Sequence, residues 1–549
     1  MLMLTVWGPR ERWGPQTFAP AGPAVVTPLE KMDQVLSKQK SEFLYALPQV
    51  LAVLVKNFLM LSFGMNIGFA TILIGGLLHK NSDDFGNINE DQISWIGSMS
   101  LLTVPIGSLL SGIITQPIGR KRSMQFVTIP FVICWIGFYF STKLWHIYFA
   151  LALMGFFGGL VEAPFSAYVS EITEPHLRGS LSSTGSIFAL FGISIEFALG
   201  TFYNWRTSAL ISCAFPILTF ILFCFVPESP YWLLLNNEVE KAKQELAWLR
   251  GWSTVADIKF EIQDLINQHA KDNSNLLHSK TFSVDKIKPF VKKSFIWPFG
   301  IITFCFMLAQ FSGASTLQTY AISIFATLNV PISSYYATLY LSITQFISSI
   351  VGGLFMYLLG RRKLVFVSLT GICVCNVLIA IYATLNDIKY VLLIDENDIS
   401  SQIETLNWIP LTLLISLSFV DHIGVYLLPW VIIGELYSHR TRSVGCGISS
   451  AVSYLINFVS NKLYFRIIDS FTIFGTYMLY ASICFIGIII MYYILPETEG
   501  KTLQEISDHF EGITKLDKNI RRKRPRMTNN THINPCLVND GMIISISKL

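Results

Sequence analysis

The sequence Gly119-Arg120-Lys121 recurs in the second half of the chain as Gly360-Arg361-Arg362. Two further pairs of motifs repeat in the same order: Glu171 and Arg178 match Glu435 and Arg442, which have the same spacing, and Pro227-Glu228-Ser229 matches Pro496-Glu497-Thr498. Three matches in one order indicate an internal repeat, in which the two halves share one fold.

The composition predicts a membrane protein. Of 549 residues, 52% are hydrophobic and 14% are charged, whereas a soluble domain carries about 25% charged residues. A spanning helix needs about 20 apolar residues, so the chain has room for about a dozen. The net charge of +4 is too small to indicate a nucleic-acid partner.

Apolar runs separated by polar breaks predict twelve transmembrane helices in an all-α membrane protein. The predicted spans are 50–78, 93–115, 123–142, 145–169, 181–202, 206–226, 295–327, 334–358, 363–385, 408–434, 444–467 and 471–495. Arginines and lysines follow spans two, eight and ten, and such loops face the cytoplasm. Because the number of spans is even, both termini are predicted to be cytoplasmic.

These spans divide the chain into five predicted parts. They are a disordered cytoplasmic tail (1–49), an N-terminal six-helix bundle (50–226), an intracellular helical linker (227–294), a C-terminal six-helix bundle (295–495) and a cytoplasmic tail (496–549). The last part contains a basic run, Arg521–Arg526, which is interpreted as a solvated tail or as a contact for anionic lipid.

Repeated charged residues at the cytoplasmic ends of the helices predict a gate. They are Arg120, Glu171 and Arg178 in the first half, and Arg361, Glu435 and Arg442 in the second. We expect them to pair across the closed inner face and to separate when the cavity opens inward. In the alternative interpretation, the arginines only orient the helices and the glutamates only cap them.

The motifs resemble those of the sugar porter family of the major facilitator superfamily. The matching residues are Phe63–Gly68, Gly119–Lys121, Glu171 with Arg178, Pro227–Pro230, Gln310–Gly313, Gly360–Arg362, Pro429–Glu435 and Pro496–Thr502, and the run Leu160–Pro164 looks most like the insect facilitated trehalose transporter-like branch. The resemblance implies a plasma-membrane carrier, functional as a monomer in the lipid bilayer, which moves a neutral sugar such as trehalose or glucose by alternating access. No nucleophile, metal cluster or phosphate loop appears, so we expect neither an enzyme nor a metal or cofactor.

The resemblance also implies the sugar-binding residues. Gln310 and Gln345 would supply hydrogen-bonding amides, and Trp430 would cover the sugar ring. Ser315, Asn66, Ser186 and Asn457 stand at or near further binding positions of the family. The alternative for Gln310 and Gln345 is a structural hydrogen bond between helices, and for Trp430 a packing role.

The energy source is left open by the sequence. Proton-coupled relatives carry an aspartate where this chain has Asn66, and an amide takes up no proton, which favours a uniporter. Four ionisable residues nevertheless lie inside predicted spans: Glu162, Glu196, Asp421 and His422. Asp421 and His422 form a possible proton site of a symporter, with Glu196 as another candidate, whereas we expect Glu162 to satisfy backbone freed by Pro164 or to pair with a gating arginine.

A sensor that binds sugar without transporting it is a third possibility, because several amides of the family are replaced here.

Overall fold

The computed structural model describes residues 28–78, 85, 88–255, 257–267, 288–391, 407–437, 441–501, 503–514 and 516. These residues form helices joined by turns, which confirms the all-α fold class. The first part of the chain contains α1 (Pro28–Leu78), α2 (Glu90–Thr115), α3 (Arg120–Tyr139), α4 (Leu144–Leu160), α5 (Glu162–Ile172), α6 (Pro175–Phe202), α7 (Trp205–Ser212) and α8 (Ala214–Cys224). The segment that follows contains α9 (Pro230–Leu235), α10 (Val239–Leu249), α11 (259–267) and α12 (Lys288–Val291).

The second half has the same order of long helices. It contains α13 (Lys293–Gln310), α14 (Ala314–Thr319), α15 (Ala321–Thr327), α16 (Ser334–Leu359), α17 (Arg361–Leu385), α18 (Ile409–Ile423), α19 (Leu428–Leu436), α20 (Arg442–Ile494) and, beyond the last span, α21 (Leu503–Phe510). Helices of one half pack mainly on helices of the same half, and α2–α20 and α6–α16 are the main contacts between the halves.

Ten helices among the described residues are long and apolar enough to cross a membrane, which confirms a multi-pass architecture. The longest of them, within α20, bends at Thr472, where φ is 61° and ψ is 174°. This bend lies between predicted spans eleven and twelve. The 20-residue α3 is not among the ten, so the count of twelve spans remains a prediction.

The predicted disordered tail is too long. Residues 28–49 belong to α1, which continues without interruption through Pro48 to Leu78. Their sequence is rich in Leu, Lys, Glu and Gln, which favour helices. Gln49 is fully buried, and its side-chain oxygen accepts a hydrogen bond of 2.9 Å from the backbone N–H of Glu174. This tertiary contact holds the end of the segment against the first half. Residues 1–27 and the basic run Arg521–Arg526 lie outside the described residues.

Glycines allow the helices of the first half to approach closely. A Cβ atom added at Gly107 of α2 would lie 2.0 Å from the backbone oxygen of Phe156 in α4. Added at Gly159 of α4, it would lie 2.1 Å from the backbone oxygen of Val104 in α2. Small residues at helix contacts are typical of membrane proteins, where packing replaces the hydrophobic effect. The α2–α4 pair therefore forms a rigid part of the first half.

Candidate functional site

The first repeated cluster lies where α3 begins. Arg120 binds Glu171 through two nitrogens, with Nη2 and Nε of the arginine 3.0 and 3.2 Å from Oε1 of the glutamate. The carboxylate of Glu228 accepts hydrogen bonds of 2.9 to 3.3 Å from the backbone N–H groups of Arg120, Lys121 and Arg122. The first N–H groups of a helix have no partners within it, so Glu228 caps α3 and adds a favourable charge at its positive end.

The second half repeats this arrangement where α17 begins. Nη2 of Arg361 lies 2.6 Å from Glu435 and 3.2 Å from Glu499. The carboxylate of Glu497 accepts hydrogen bonds of 3.2 and 3.1 Å from the backbone N–H groups of Arg361 and Arg362. Glu497 is therefore the counterpart of Glu228, and each half carries an arginine, a glutamate and a capping glutamate. We call these groups the two charged clusters, and their end of the molecule the basic side.

The expected pairing across the two halves is not what the structure shows. Among the described residues, the arginine–glutamate contacts of the charged clusters each stay within one half, Arg120 with Glu171 and Arg361 with Glu435 and Glu499. Arg178 donates to the backbone oxygen of Thr173 at 3.3 Å, and Arg442 donates to that of Tyr437 at 3.3 Å. The reason is geometric. The turn at Gly119 brings Arg120 onto Glu171 of the first half, and the turn at Gly360 brings Arg361 onto Glu435 of the second half.

The opposite end of the molecule joins the two halves. Nζ of Lys462, in α20, donates to Oδ1 of Asp91 at 2.8 Å and to Oγ of Ser94 at 2.7 Å, both in α2. The same ammonium group lies 4.2 Å from the centre of the Trp95 ring, a distance at which a cation–π contact forms. We call this group the Lys462 latch.

Two further hydrogen bonds close the same end. Thr71 of α1 donates to the backbone oxygen of Gln318 in α14 at 2.9 Å. Thr201 of α6 donates to the backbone oxygen of Tyr335 in α16 at 3.3 Å. The halves therefore meet on three helix pairs at the latch end, while the charged clusters on the basic side stay separate from each other.

The seventh predicted span is broken, and the break positions Gln310. Helix α13 ends at Gln310, and α14 begins after Gly313, whose φ of 91° is a left-handed conformation that favours glycine. The backbone oxygen of Gln310, freed by this break, accepts a 3.0 Å hydrogen bond from Ser460. The amide of Gln310 has no partner among the described residues and is slightly exposed, so it can bind another molecule.

Three other predicted residues lie near this break. Ser315 donates to the side-chain oxygen of Asn457 at 2.8 Å, which joins α14 to α20. Trp430, at the start of α19, is half-buried, and its ring centre lies 5.1 Å from that of Phe306 and 6.2 Å from that of Tyr454. The structure therefore brings polar groups from α13, α14 and α20 close to an aromatic group.

The remaining predicted binding residues lie apart from this group. Gln345 is fully buried and donates to Ser418 at 2.9 Å, as the structural alternative predicted. Asn66 is 1% exposed, and neither atom of its amide has a partner among the described residues. Ser186, in α6, is half-buried. No described contact joins Asn66 or Ser186 to Gln310.

An apolar cavity of about 560 Å³ lies between α13 and α20. Phe304, Met307 and Phe311 line one wall, and Val452 and Ile456 line the other. It has almost no polar lining, whereas a sugar needs hydrogen-bond partners for its hydroxyl groups. We therefore place the candidate site at Gln310 and Trp430 and not in this cavity.

The sequence of this chain also matches a known protein family. The family described as "Sugar (and other) transporter" matches residues 52–510. The chain belongs to this transporter family.

Relatives of this transporter include insect proteins. It is 25% identical to the facilitated trehalose transporter Tret1 of Apis mellifera ligustica over 505 residues, which cover 91% of this chain and 96% of the relative. It is 26% identical to Tret1 of Bombyx mori, over 80% of this chain and 83% of the relative. The resemblance to the insect branch of the sugar porters is thereby confirmed.

Solved structures support the fold of the transporter. The inward open conformation of the xylose transporter XylE from E. coli matches with a TM-score of 0.63 at 18% identity, covering 83% of this chain and 98% of that chain. Its partially occluded inward open conformation matches with a TM-score of 0.61, covering 82% and 100%. At this identity the likeness shows the fold alone, which is that of the major facilitator transporters.

The capping of α3 by Glu228 and of α17 by Glu497 was not predicted from the sequence of this transporter. Both residues belong to the repeated Pro-Glu-Ser and Pro-Glu-Thr motifs, which the sequence analysis took only as evidence for the internal repeat. Their repetition after the last span of each half was the available signal, because a motif repeated beside the Gly-Arg turn indicates a shared partner.

Proposed function

We propose that this protein is a facilitative carrier of a neutral sugar, either trehalose or a hexose such as glucose, that works by alternating access. The observation that supports the proposal most directly is the arrangement of two repeated halves, which are joined at the Lys462 latch while each charged cluster pairs within its own half. A protein with such halves moves a ligand across the membrane by opening first one side and then the other. The names of the insect relatives motivate trehalose, and they describe transporters rather than sensors.

We further propose a plasma-membrane location with the basic side and both termini in the cytoplasm. The arginines and lysines around α3 and α17 support this orientation. Residues 50–226 and 295–495 would then be the two moving bundles, joined by the linker 227–294. Each charged cluster would stabilise the inner end of its own bundle, and one chain would suffice for transport.

The sugar would bind at Gln310, Ser315, Asn457 and Trp430. An amide both donates and accepts, and so it can pair with the hydroxyl groups of a sugar. The indole ring of Trp430 would cover the apolar face of the sugar ring. In this proposal Gln345 holds α16 against α18, and Asn66 and Ser186 complete the site from the first half when the bundles move.

Replacing Gln310 by alanine tests the site. We expect the half-saturation concentration of labelled trehalose or glucose uptake to rise, because a lost partner for a buried polar group costs about 1–3 kcal/mol, or about 5- to 150-fold in affinity. The matched control is Gln125→Ala, since Gln125 is a half-buried glutamine of α3 that donates to the backbone of Phe220. An unchanged half-saturation in Gln310→Ala would place the ligand elsewhere.

A proton-coupled sugar symporter is the second candidate function, and one observation favours it. Nδ1 of His422 lies 3.5 Å from Oδ2 of Asp421, and both residues are about fully buried. Nε2 of His422 and Oδ1 of Asp421 have no partner among the described residues. A buried pair with free polar atoms is able to hold and release a proton. Glu196, by contrast, accepts hydrogen bonds of 2.6 and 2.7 Å from Ser208 and Ser212.

The symporter makes a separate prediction about pH. If Asp421 carries the proton, Asp421→Asn is expected to abolish stimulation of sugar uptake by acidic medium while exchange of sugar across the membrane continues. Uptake by the unmodified protein that is the same at neutral and mildly acidic pH, with and without a protonophore, would eliminate the symporter and support the uniporter.

A further inference from the structure

Glu162 occupies an unusual place, at the junction of three helices from both halves. Its carboxylate accepts a hydrogen bond from Ser108 of α2 and lies close to the hydroxyl of Ser450 in α20. Ser108 belongs to the first half and Ser450 to the second.

Neither role expected from the sequence fits Glu162. Ser111, rather than Glu162, satisfies the backbone around Pro164: its hydroxyl donates to the backbone oxygen of Leu160 at 2.5 Å and accepts from the N–H of Ala163 at 3.2 Å. The cluster arginines contact other glutamates, since Arg120 binds Glu171 and Arg361 binds Glu435. Glu162 is therefore a carboxylate that contacts only hydroxyl groups in the described part of the chain.

The surroundings of Glu162 connect it to the candidate site. Tyr454 lies one turn beyond Ser450 on α20, within electrostatic reach of the Glu162 carboxylate, and packs against Trp430 with ring centres 6.2 Å apart. Glu162 is half-buried, although it lies well inside the membrane-spanning segment of α4 and α5. A charged group at this depth is costly and indicates a function.

From these contacts we propose that Glu162 is a further ligand-binding residue, which determines specificity by accepting hydrogen bonds from hydroxyl groups of the transported sugar on the first-half side of the site. The hydroxyl of Ser450 holds the position that a sugar hydroxyl takes when the ligand binds. Sugar binding therefore replaces the Glu162–Ser450 contact, and this releases the two halves from each other on the basic side. The inference rests on the proposed sugar transport and adds a residue to its site.

Two substitutions distinguish ligand binding from a purely mechanical contact. For each variant, uptake of labelled trehalose and glucose into oocytes is measured as a function of sugar concentration and normalised to the amount of protein at the cell surface. Glu162→Gln keeps the size of the side chain and its hydrogen bond with Ser108 but removes the charge. We expect its half-saturation concentration to rise about 10- to 100-fold, the usual loss for hydrogen bonds to a charged group. Ser450→Ala removes the competing hydroxyl, and we expect its half-saturation concentration to fall about 2- to 10-fold.

The control is Glu240→Gln, because Glu240 is an exposed glutamate that pairs with Lys243 of its own helix and lies outside the proposed site. Its half-saturation concentration is expected to remain that of the unmodified protein. The inference is overturned if Glu162→Gln has an unchanged half-saturation, or if both Glu162→Gln and Ser450→Ala shift it in the same direction, as loss of a simple tether would. If the unmodified protein takes up neither sugar, the proposed function fails, and this inference fails with it.

Discussion

Replacing Glu228 by alanine is expected to remove most of the transport activity and to destabilise the folded protein by about 1.5–3 kcal/mol, the usual effect of losing hydrogen bonds to a charged group. Glu228 is 7% exposed and accepts from the backbone N–H groups of Arg120, Lys121, Arg122 and Ser229. Without it, the first turn of α3 loses its cap. Gly119, which precedes this turn with a φ of 113°, lies directly against the carboxylate and has no side chain that could replace it as a hydrogen-bond acceptor.

The measurement is thermal unfolding in detergent together with surface expression and uptake. Glu497→Ala should behave in the same way, because Glu497 caps α17 in the second half. The control is Glu240→Ala, since Glu240 is exposed and, in the described part of the chain, pairs with Lys243 of its own helix. Unfolding of Glu228→Ala at the same temperature as the control would show that the cap does not hold the charged cluster together.

Replacing Lys462 by methionine is expected to open the latch end. Methionine keeps the length of the side chain but loses the ion pair with Asp91, the hydrogen bond with Ser94 and the contact with Trp95. An exposed ion pair contributes about 0.2–1 kcal/mol, and a cation–π contact adds about 0.5–1 kcal/mol. Together these shift the equilibrium toward the outward-open state about tenfold.

A cysteine in place of Ser98 reports this shift. Ser98 is fully buried in α2, one turn beyond Ser94. A membrane-impermeant maleimide applied to the outside should label Ser98→Cys about tenfold faster when Lys462 is replaced, following the population of the open state. Lys389→Met is the matched control, because the Lys389–Asp387 pair lies within the second half and is exposed. Equal labelling rates with and without Lys462 would contradict the latch.

The sequence predicts the helical fold well because its signals are strong and local. Apolar length identifies the spans, and the repeated motifs identify the two halves. The partners of the repeated residues could not be predicted, because they depend on the turns at Gly119 and Gly360, whose φ values of 113° and 82° direct each arginine toward its own half. A spacing of seven residues between Glu171 and Arg178 indicated a relation but not a contact.

The candidate site was predicted only in part. The binding roles of Gln310 and Trp430 remain predictions, whereas Gln345 donates a hydrogen bond to Ser418. Whether an amide faces a ligand or a neighbouring helix depends on which hydroxyl lies opposite, and that is a tertiary property. Residues 28–49 show the same limit, since the burial of Gln49 against Glu174 is not visible in the sequence.

Counterflow tests the central claim, transport of a neutral sugar by alternating access, most directly. The purified protein is placed in liposomes loaded with unlabelled sugar, and uptake of a trace of labelled trehalose or glucose is followed after dilution, with no proton gradient. The account predicts a transient accumulation of label above its equilibrium level, because a carrier that returns loaded exchanges one sugar for another. Label that rises only to equilibrium, or does not enter, would contradict it.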